Sequence, residues 1–196
     1  MNQRQKQKEA TRSKIMETSR ELFREFGFEV TTRNIAESSG ISVGTIFVHF
    51  KDKRDLLINV LHKDLEKAGL RSLKQLDPRK SVLTNLINVT KPIYAYYLSD
   101  PRLSQVLLKE SLFVGEEYTN KLIKDQLETF LEIISKTISP HFGGSQDDVN
   151  NFMTTFFSLY FVNIIRHLKF KTTTVEAAIK DLEKSLIPLV RGYGVD

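Results

Sequence analysis

The 196-residue chain contains no cysteine, which excludes disulfide bonds and thiol catalysis. It has no run of 18 apolar residues, so we expect no membrane-spanning helix. Its first residues, MNQRQKQKEATRSK, lack the apolar segment of a secretory signal peptide. These absences are consistent with a cytoplasmic protein that has no membrane partner.

Signals for catalysis and for cofactors are also missing. The Gly143–Gly144 pair is not followed by the Lys-Ser/Thr that a phosphate loop needs. Four histidines occur, and none stands at metal-ligand spacing from another histidine; they are His49, His62, His141 and His167. We therefore predict no catalytic residue, no metal site and no cofactor, and a small helical enzyme is the least favoured class of function.

Apolar residues make up 40% of the chain, including 13 Phe and 6 Tyr, which is enough for a sizeable core. They recur at helical spacing, and no segment has the alternation of a strand. The pattern predicts an all-α fold of about nine helices, including helices over about residues 9–26, 52–76, 116–138 and 147–169. Asp77 and Pro78 predict the start of the fifth helix, and Thr173 predicts a cap for the ninth, which should end near Pro188.

Residues 31–50, TTRNIAESSGISVGTIFVHF, predict two short helices with a glycine turn between them. Thr32 is the expected N-cap of the first, over residues 33–38, and Gly40 can adopt the positive φ that ends it. Ser42 should cap the second helix, from Val43 to His49. This pattern is typical of a helix-turn-helix, whose second helix enters the major groove of DNA.

The excess positive charge lies in the same part of the chain. Residues 1–54 hold 11 Lys/Arg and 7 Asp/Glu, a net charge of +4, whereas the remaining 142 residues hold 18 and 17, a net charge of +1. A helix-turn-helix in a basic domain favours binding to phosphates.

Eighteen residues of this region stand in an order and spacing that resembles the N-terminal domain of the TetR family of transcriptional repressors. They are Arg12, Ile15, Leu22, Phe23, Gly27, Phe28, Thr31, Thr32, Ile35, Ala36, Gly40, Ile41, Ser42, Gly44, Thr45, Phe50, Lys53 and Leu56. The resemblance covers about residues 8–57; the rest matches only in length and helical character. It implies a DNA-binding head over residues 1–52 and an effector-binding and dimerisation body over residues 53–196.

The resemblance implies a homodimeric repressor that binds a palindromic operator in double-stranded DNA and is released by a small apolar or aromatic effector. The predicted DNA-binding residues are Thr32, Arg33, Ser42, Val43, Gly44, Thr45, Phe47, His49 and Lys53. Phe47 departs from the family, which usually has a tyrosine there whose hydroxyl binds a phosphate. The alternative is a helical effector-binding or adaptor protein whose head does not read DNA.

Two further sets of residues are predicted in the body. Aromatic residues of the fifth to eighth helices form either core or an effector pocket; the pocket candidates are Tyr94, Tyr97, Phe113, Phe130 and Phe156. The eighth and ninth helices have apolar faces that are too wide for one core, which predicts a four-helix dimer interface. Its candidate residues are Phe161, Ile165, Leu182 and Leu186.

Overall fold

The computed structural model describes residues 2–113, 117–169 and 173–195, with side chains throughout except those of residues 110–113 and 117–123. These residues form nine α-helices and no β-strand, which confirms the all-α prediction. The helices are α1 Gln3–Phe26, α2 Thr32–Ser39, α3 Val43–His49, α4 Lys53–Leu73, α5 Val82–Ser99, α6 Pro101–Phe113, α7 Glu117–Ile138, α8 Gln146–Lys169 and α9 Val175–Tyr193. Short 3-10 helices follow α1 (Gly27–Glu29) and α7 (Ser139–Phe142). Among the helices described, none is long and apolar enough to cross a bilayer.

The first three helices form a small domain, the head, with its own core. The residues that fill it are almost or completely buried: Ile15, Phe23, Val30, Ile35, Ala36, Ile46 and Phe50. α2 packs against both α1 and α3, so the two short helices are held at a fixed angle on the longer one. Ile41, in the turn between α2 and α3, is only half-buried.

Two helix starts in the head differ from the predictions. α1 begins at Gln3 instead of Glu9, because the side chain of Asn2 accepts a hydrogen bond from the backbone N–H of Gln5 at 2.9 Å. The N-cap of α2 is Thr31 instead of Thr32. Its hydroxyl accepts from the N–H of Asn34, and the Asn34 side chain accepts from the N–H of Thr31, which closes a capping box.

α4 contacts both the head and the rest of the chain. Asp52 caps it by accepting from the N–H groups of Arg54 and Asp55 at 2.7 and 2.8 Å. The helix packs on α1 at one end and on α5, α6 and α7, which belong to the body, further along. It ends at Leu73, three residues before the predicted end, and it is the main element shared by the two parts.

The start of α5 was predicted wrongly. Asp77 and Pro78 form a turn in which Asp77 accepts two hydrogen bonds from the Arg79 side chain, at 2.9 and 3.0 Å. The helix begins only at Val82, with Ser81 as its N-cap. The buried side chain of Asn85 holds the turn by bonding the backbone of Asp77 in both directions.

α9 also differs at both ends. Its N-cap is Thr174 instead of Thr173, with the hydroxyl accepting from the N–H of Ala177 at 3.1 Å. The helix continues through the exposed Pro188 to Tyr193 and ends at Gly194, whose φ is +64°. Proline is tolerated there at the cost of one backbone hydrogen bond because its ring lies on the outer side of the helix.

A buried polar network joins three helices in the centre of the body. The hydroxyl of Tyr94 on α5 donates to the carbonyl of Tyr160 on α8 at 2.6 Å. Asn163 donates to the Tyr94 hydroxyl at 3.2 Å and to the carbonyl of Ala178 on α9 at 2.9 Å. Because each of these buried groups has a partner, the network favours one packing of α5, α8 and α9 over others.

Candidate nucleic-acid interface

The turn between α2 and α3 depends on glycine. Gly40 has φ +64° and ψ +37°, the left-handed conformation, and its N–H bonds the carbonyl of Glu37 at 3.0 Å. The next N–H, of Ile41, reaches the carbonyl of Ala36, so the helix end is closed by two backbone bonds. A Cβ at Gly40 would meet only the Lys14 ammonium, at 3.9 Å, so the backbone conformation and not the space requires glycine.

α3 presents an apolar outer face. Its N-cap is Ser42, as predicted, with the hydroxyl accepting from the N–H of Thr45 at 3.1 Å. Ile46 points into the core of the head and is completely buried, whereas Phe47 and Val48 are 48% and 69% exposed. The helix is therefore fastened on one side and open to solvent on the other, as a helix that enters a groove must be.

The start of α2 lies beside this face. Arg33 is exposed and Thr32 is half-buried, both in the first turn of the helix. The capping box uses the N–H of Asn34, and the N–H groups of Thr32 and Arg33 have no partner within the helix. The first turn of α2 can therefore accept an anion from solvent.

Lys53 has an intramolecular role that the sequence did not reveal. Its ammonium donates to the carbonyl of Phe28 at 2.7 Å and lies 4.2 Å above the centre of the Phe28 ring. This contact ties the start of α4 to the 3-10 helix that follows α1. The ammonium carries three N–H donors, so the bond to Phe28 leaves capacity for a phosphate.

His49, the last residue of α3, lies near two cations of α1. Its pKa is lowered by burial first and then by the positive charges of Lys8 and Arg12, all of which disfavour the protonated ring. The guanidinium of Arg12 lies 4.4 Å above the ring of Phe50 and donates to Asn59 on α4 at 2.8 Å. Arg12 therefore positions the end of α3 between α1 and α4, a role that its place in the sequence motif did not indicate.

The first turns of α1 add three exposed cations, Arg4, Lys6 and Lys8. Because this segment is helical and not a free arm, their positions relative to α3 are set by the fold. In the part of the chain that the structure describes, no cluster of His, Asp or Glu side chains has the arrangement of a metal site.

The predicted pocket residues are mostly in the core of the body. Tyr94, Tyr97 and Phe156 are almost completely buried, and burial raises the pKa of both tyrosines. The side chain of Phe113 lies outside the described residues. A cleft of about 260 Å³ lies instead beside the loop before α8, lined by Ser139, Pro140, Gly144, Ser145, Gln146 and Val149. An effector site among the three buried aromatics requires this core to open, and that site stays a prediction.

Phe130 is in a different position from the other candidates. It is half-buried on α7, and its ring carbons lie 3.8 and 3.9 Å from the point where a Cβ on Gly69 would be. Gly69 lies on α4, and these distances correspond to ordinary van der Waals contact, so the Phe130 ring packs against α4 at this position. Movement of α7 at Phe130 would therefore act directly on α4.

The four predicted dimer-interface residues are divided between the core and the surface of the protomer, and the interface stays a prediction. Leu182 and Leu186 on α9 have no exposed surface in the single chain, because they pack inward against α5 and α8. Phe161 and Ile165 on α8 are half-buried, and the adjacent Val162 is 58% exposed. Val162 of α8 is the one large apolar side chain of these two helices that is exposed among the described residues.

Comparison with known proteins agrees with this geometry. The family model described as "Bacterial regulatory proteins, tetR family" matches residues 15–60. An HTH-type transcriptional regulator of Staphylococcus aureus (strain USA300) is 43% identical over 56 residues, which are 28% of this chain and 30% of the relative. The sequence match thus spans less than a third of the length of these curated relatives.

Solved structures extend the likeness over the whole chain. The transcriptional regulator FadR from Bacillus subtilis, in complex with stearoyl-CoA, has a TM-score of 0.67 at 18% identity and covers 89% of this chain and 97% of its own. A tetR-family transcriptional regulator from Streptomyces coelicolor has a TM-score of 0.68 at 15% identity and covers 94% and 82%. At these identities the likeness establishes the fold alone. Residues 15–60 thus match the tetR family of bacterial regulatory proteins, and the chain has the fold of these solved regulators.

Proposed function

We propose that this protein is a sequence-specific regulator of transcription, a repressor that binds operator DNA through α3 and is released by a small molecule. The observation that carries the proposal is the helix-turn-helix itself. α3 is anchored by Ile46 and capped by Ser42, and its outer face is open within residues 1–54, whose net charge is +4. The site of action would be the cytoplasm, where bacterial DNA lies.

The head residues take two roles in this proposal. Thr32, His49 and Lys53 hold phosphates of the DNA backbone, and Ser42 and Gly44 allow the backbone of α3 to approach the groove. Arg33 and Thr45 read base edges, with Val43 and Phe47 beside them. Arg33 is the strongest candidate for a guanine, because an exposed guanidinium can donate two parallel hydrogen bonds to its edge.

A homodimer is part of the proposal, because a single recognition helix reads too few bases for useful specificity. Two heads that meet successive major grooves on one face of the duplex must be about 34–36 Å apart. The apolar surface of α8 at Phe161, Val162 and Ile165 supports a two-fold interface there. The operator would accordingly be palindromic.

Release by an effector would act through α4. The hydroxyl of Tyr96 on α5 bonds the carbonyl of Leu61 on α4 at 2.8 Å, and Phe130 on α7 packs at Gly69. A small apolar or aromatic molecule bound among α5 to α8 would shift these contacts and so move the head. The panel of test compounds should include long-chain acyl-CoA, because the FadR structure described above holds one.

DNA binding is tested by selecting bound duplexes from a random pool and titrating the best sequence by fluorescence anisotropy at several salt concentrations. Arg33→Ala should weaken the selected site by roughly 1–3 kcal/mol and relax the preference at one base pair per half-site. Lys53→Ala should weaken all sequences alike and lower the salt slope by about one unit for each protomer. Binding that ignores salt and both changes would refute the proposal.

Lys53 needs a second readout because it also bonds Phe28. If its role is only to hold the 3-10 helix, Lys53→Ala lowers the melting temperature and leaves the salt slope unchanged. If Lys53 also holds a phosphate, the variant lowers both the melting temperature and the salt slope. The slope therefore separates the two roles in one variant.

A further inference from the structure

Phe47 and Val48 form an apolar pair at an unusual place. They are consecutive residues of a seven-residue helix and are 48% and 69% exposed. The other large hydrophobic side chains exposed in the described residues lie apart from α3; they are Phe26, Leu70, Ile133 and Val162. This apolar pair on the outer face of α3 is available for contact with the DNA that the proposed function places there.

The rest of α3 offers little hydrogen-bonding capacity. Its sequence, VGTIFVH, contains no Arg, Lys, Asp, Glu, Asn or Gln. The Thr45 hydroxyl is already 2.8 Å from the Ser42 hydroxyl, and His49 is half-buried. Direct readout of a G·C pair uses Arg or Lys on guanine or an acidic side chain on cytosine, and α3 has neither.

Cations occur on α1 and α2, the two helices that precede α3. Arg33 is exposed at the start of α2, and Lys8 and Arg12 are close enough to the end of α3 to act on His49. An apolar surface in a part of the chain with excess positive charge matches a polyanion that exposes apolar groups between its phosphates. The major groove of DNA has that chemistry where it exposes the C5 methyl groups of thymine.

We propose that Phe47 and Val48 read thymine methyl groups, so that each operator half-site carries thymines in the segment that α3 enters. The inference rests on the proposed DNA-binding function and names the bases that this function recognises. Neighbouring residues of a helix point about 100° apart, so the two side chains meet different methyl groups. Phe47 has no hydroxyl to bind a phosphate, and its apolar ring is suited to contact a methyl group.

The test uses the selected operator and the full-length protein. Each thymine in turn is replaced by deoxyuridine, which keeps the base pair and its hydrogen-bonding groups and removes only the methyl group. We expect two positions in each half-site to lose affinity by about fourfold each, the factor that corresponds to exposing one buried methyl group. Substitutions outside the α3 segment should have no effect.

Variants assign the methyl groups to side chains. For the Phe47→Ala variant, deoxyuridine at one of the two sensitive positions should no longer reduce the affinity. For Val48→Ala, the same should hold at the other position. Both side chains are exposed, so neither change should impair folding. Leu70→Ala, which removes an apolar side chain of 57% exposure from α4, is the matched control and should retain both sensitivities.

The possible failures are distinguishable. If wild-type protein prefers its operator but tolerates deoxyuridine everywhere, the methyl readout is wrong and the DNA-binding function stands. If the deoxyuridine losses persist unchanged in both Ala variants, other residues read the methyl groups and the inference is overturned. If the protein prefers no sequence over a scrambled duplex, both the methyl readout and the proposed function are wrong.

Discussion

Replacing Asp64 by Asn should destabilise the protein far more than replacing Glu128 by Gln, although both changes remove one carboxylate from an ion pair. Asp64 on α4 is 11% exposed and accepts from the Arg20 side chain of α1 at 2.9 Å, with Arg20 itself 18% exposed. Arg24 and Lys67 lie further away, at 3.5 and 3.8 Å. These ion pairs link α1 of the head to α4.

The magnitude follows from burial. A hydrogen bond to a charged group contributes about 1.5–3 kcal/mol, whereas a neutral one contributes about 0.5–1.5 kcal/mol. Asn keeps one acceptor for Arg20 but leaves that largely buried cation without a counter-charge, so we expect a loss of about 2 kcal/mol. For a chain of this size, that loss lowers the melting temperature by about 4–8 °C.

Glu128 provides the control. It lies 3.7 Å from Lys124, and the two side chains are 64% and 71% exposed. Exposed pairs contribute at most about 0.5 kcal/mol in a helix, so Glu128→Gln should shift the melting temperature by less than about 2 °C. Calorimetry at equal protein concentration measures both variants. Equal shifts of the melting temperature in the two variants would show that burial does not strengthen the ion pair between Asp64 and Arg20.

Three further predictions concern stability. Gly40→Ala should cost about 1 kcal/mol by urea titration, because an L-residue resists φ +64°; an unchanged midpoint would contradict the assigned turn. Tyr94→Phe should cost about 1–1.5 kcal/mol, because it removes the hydroxyl between Tyr160 and Asn163; a stabilised variant would contradict that network. Burial lowers the pKa of His62 in the folded protein, so the unfolded chain takes up the proton first as pH falls below about 6.5. Stability should therefore decrease on acidification through that range, and less steeply in His62→Gln.

The head could be predicted from the sequence because its signals are local. The turn at Gly40 and the cap at Ser42 depend on residues within four positions of each other, and the structure places both as expected. The N-cap of α2, which lies one residue before the predicted position, is also decided by neighbouring residues. Thr31 and Thr32 are both good capping residues, and the capping box with Asn34 decides between them.

The body was less predictable because its determinants are distant in the chain. The width of an apolar helix face shows that other residues cover it, but it does not show which residues these are. Leu182 and Leu186, for example, are completely covered within the protomer. The bond between Tyr94 and Asn163 joins residues 69 positions apart, and no spacing rule reveals it. The contact between Lys53 and Phe28 spans 25 positions and was missed for the same reason.

The central claim is that α3 gives this protein a preference for one DNA sequence. The most direct measurement is the ratio of dissociation constants for the selected operator and a scrambled duplex of the same composition, at near-physiological salt. We expect a ratio of about a thousand or more, with both affinities falling as salt rises. A ratio near one, with the protein folded and the salt dependence intact, would contradict it.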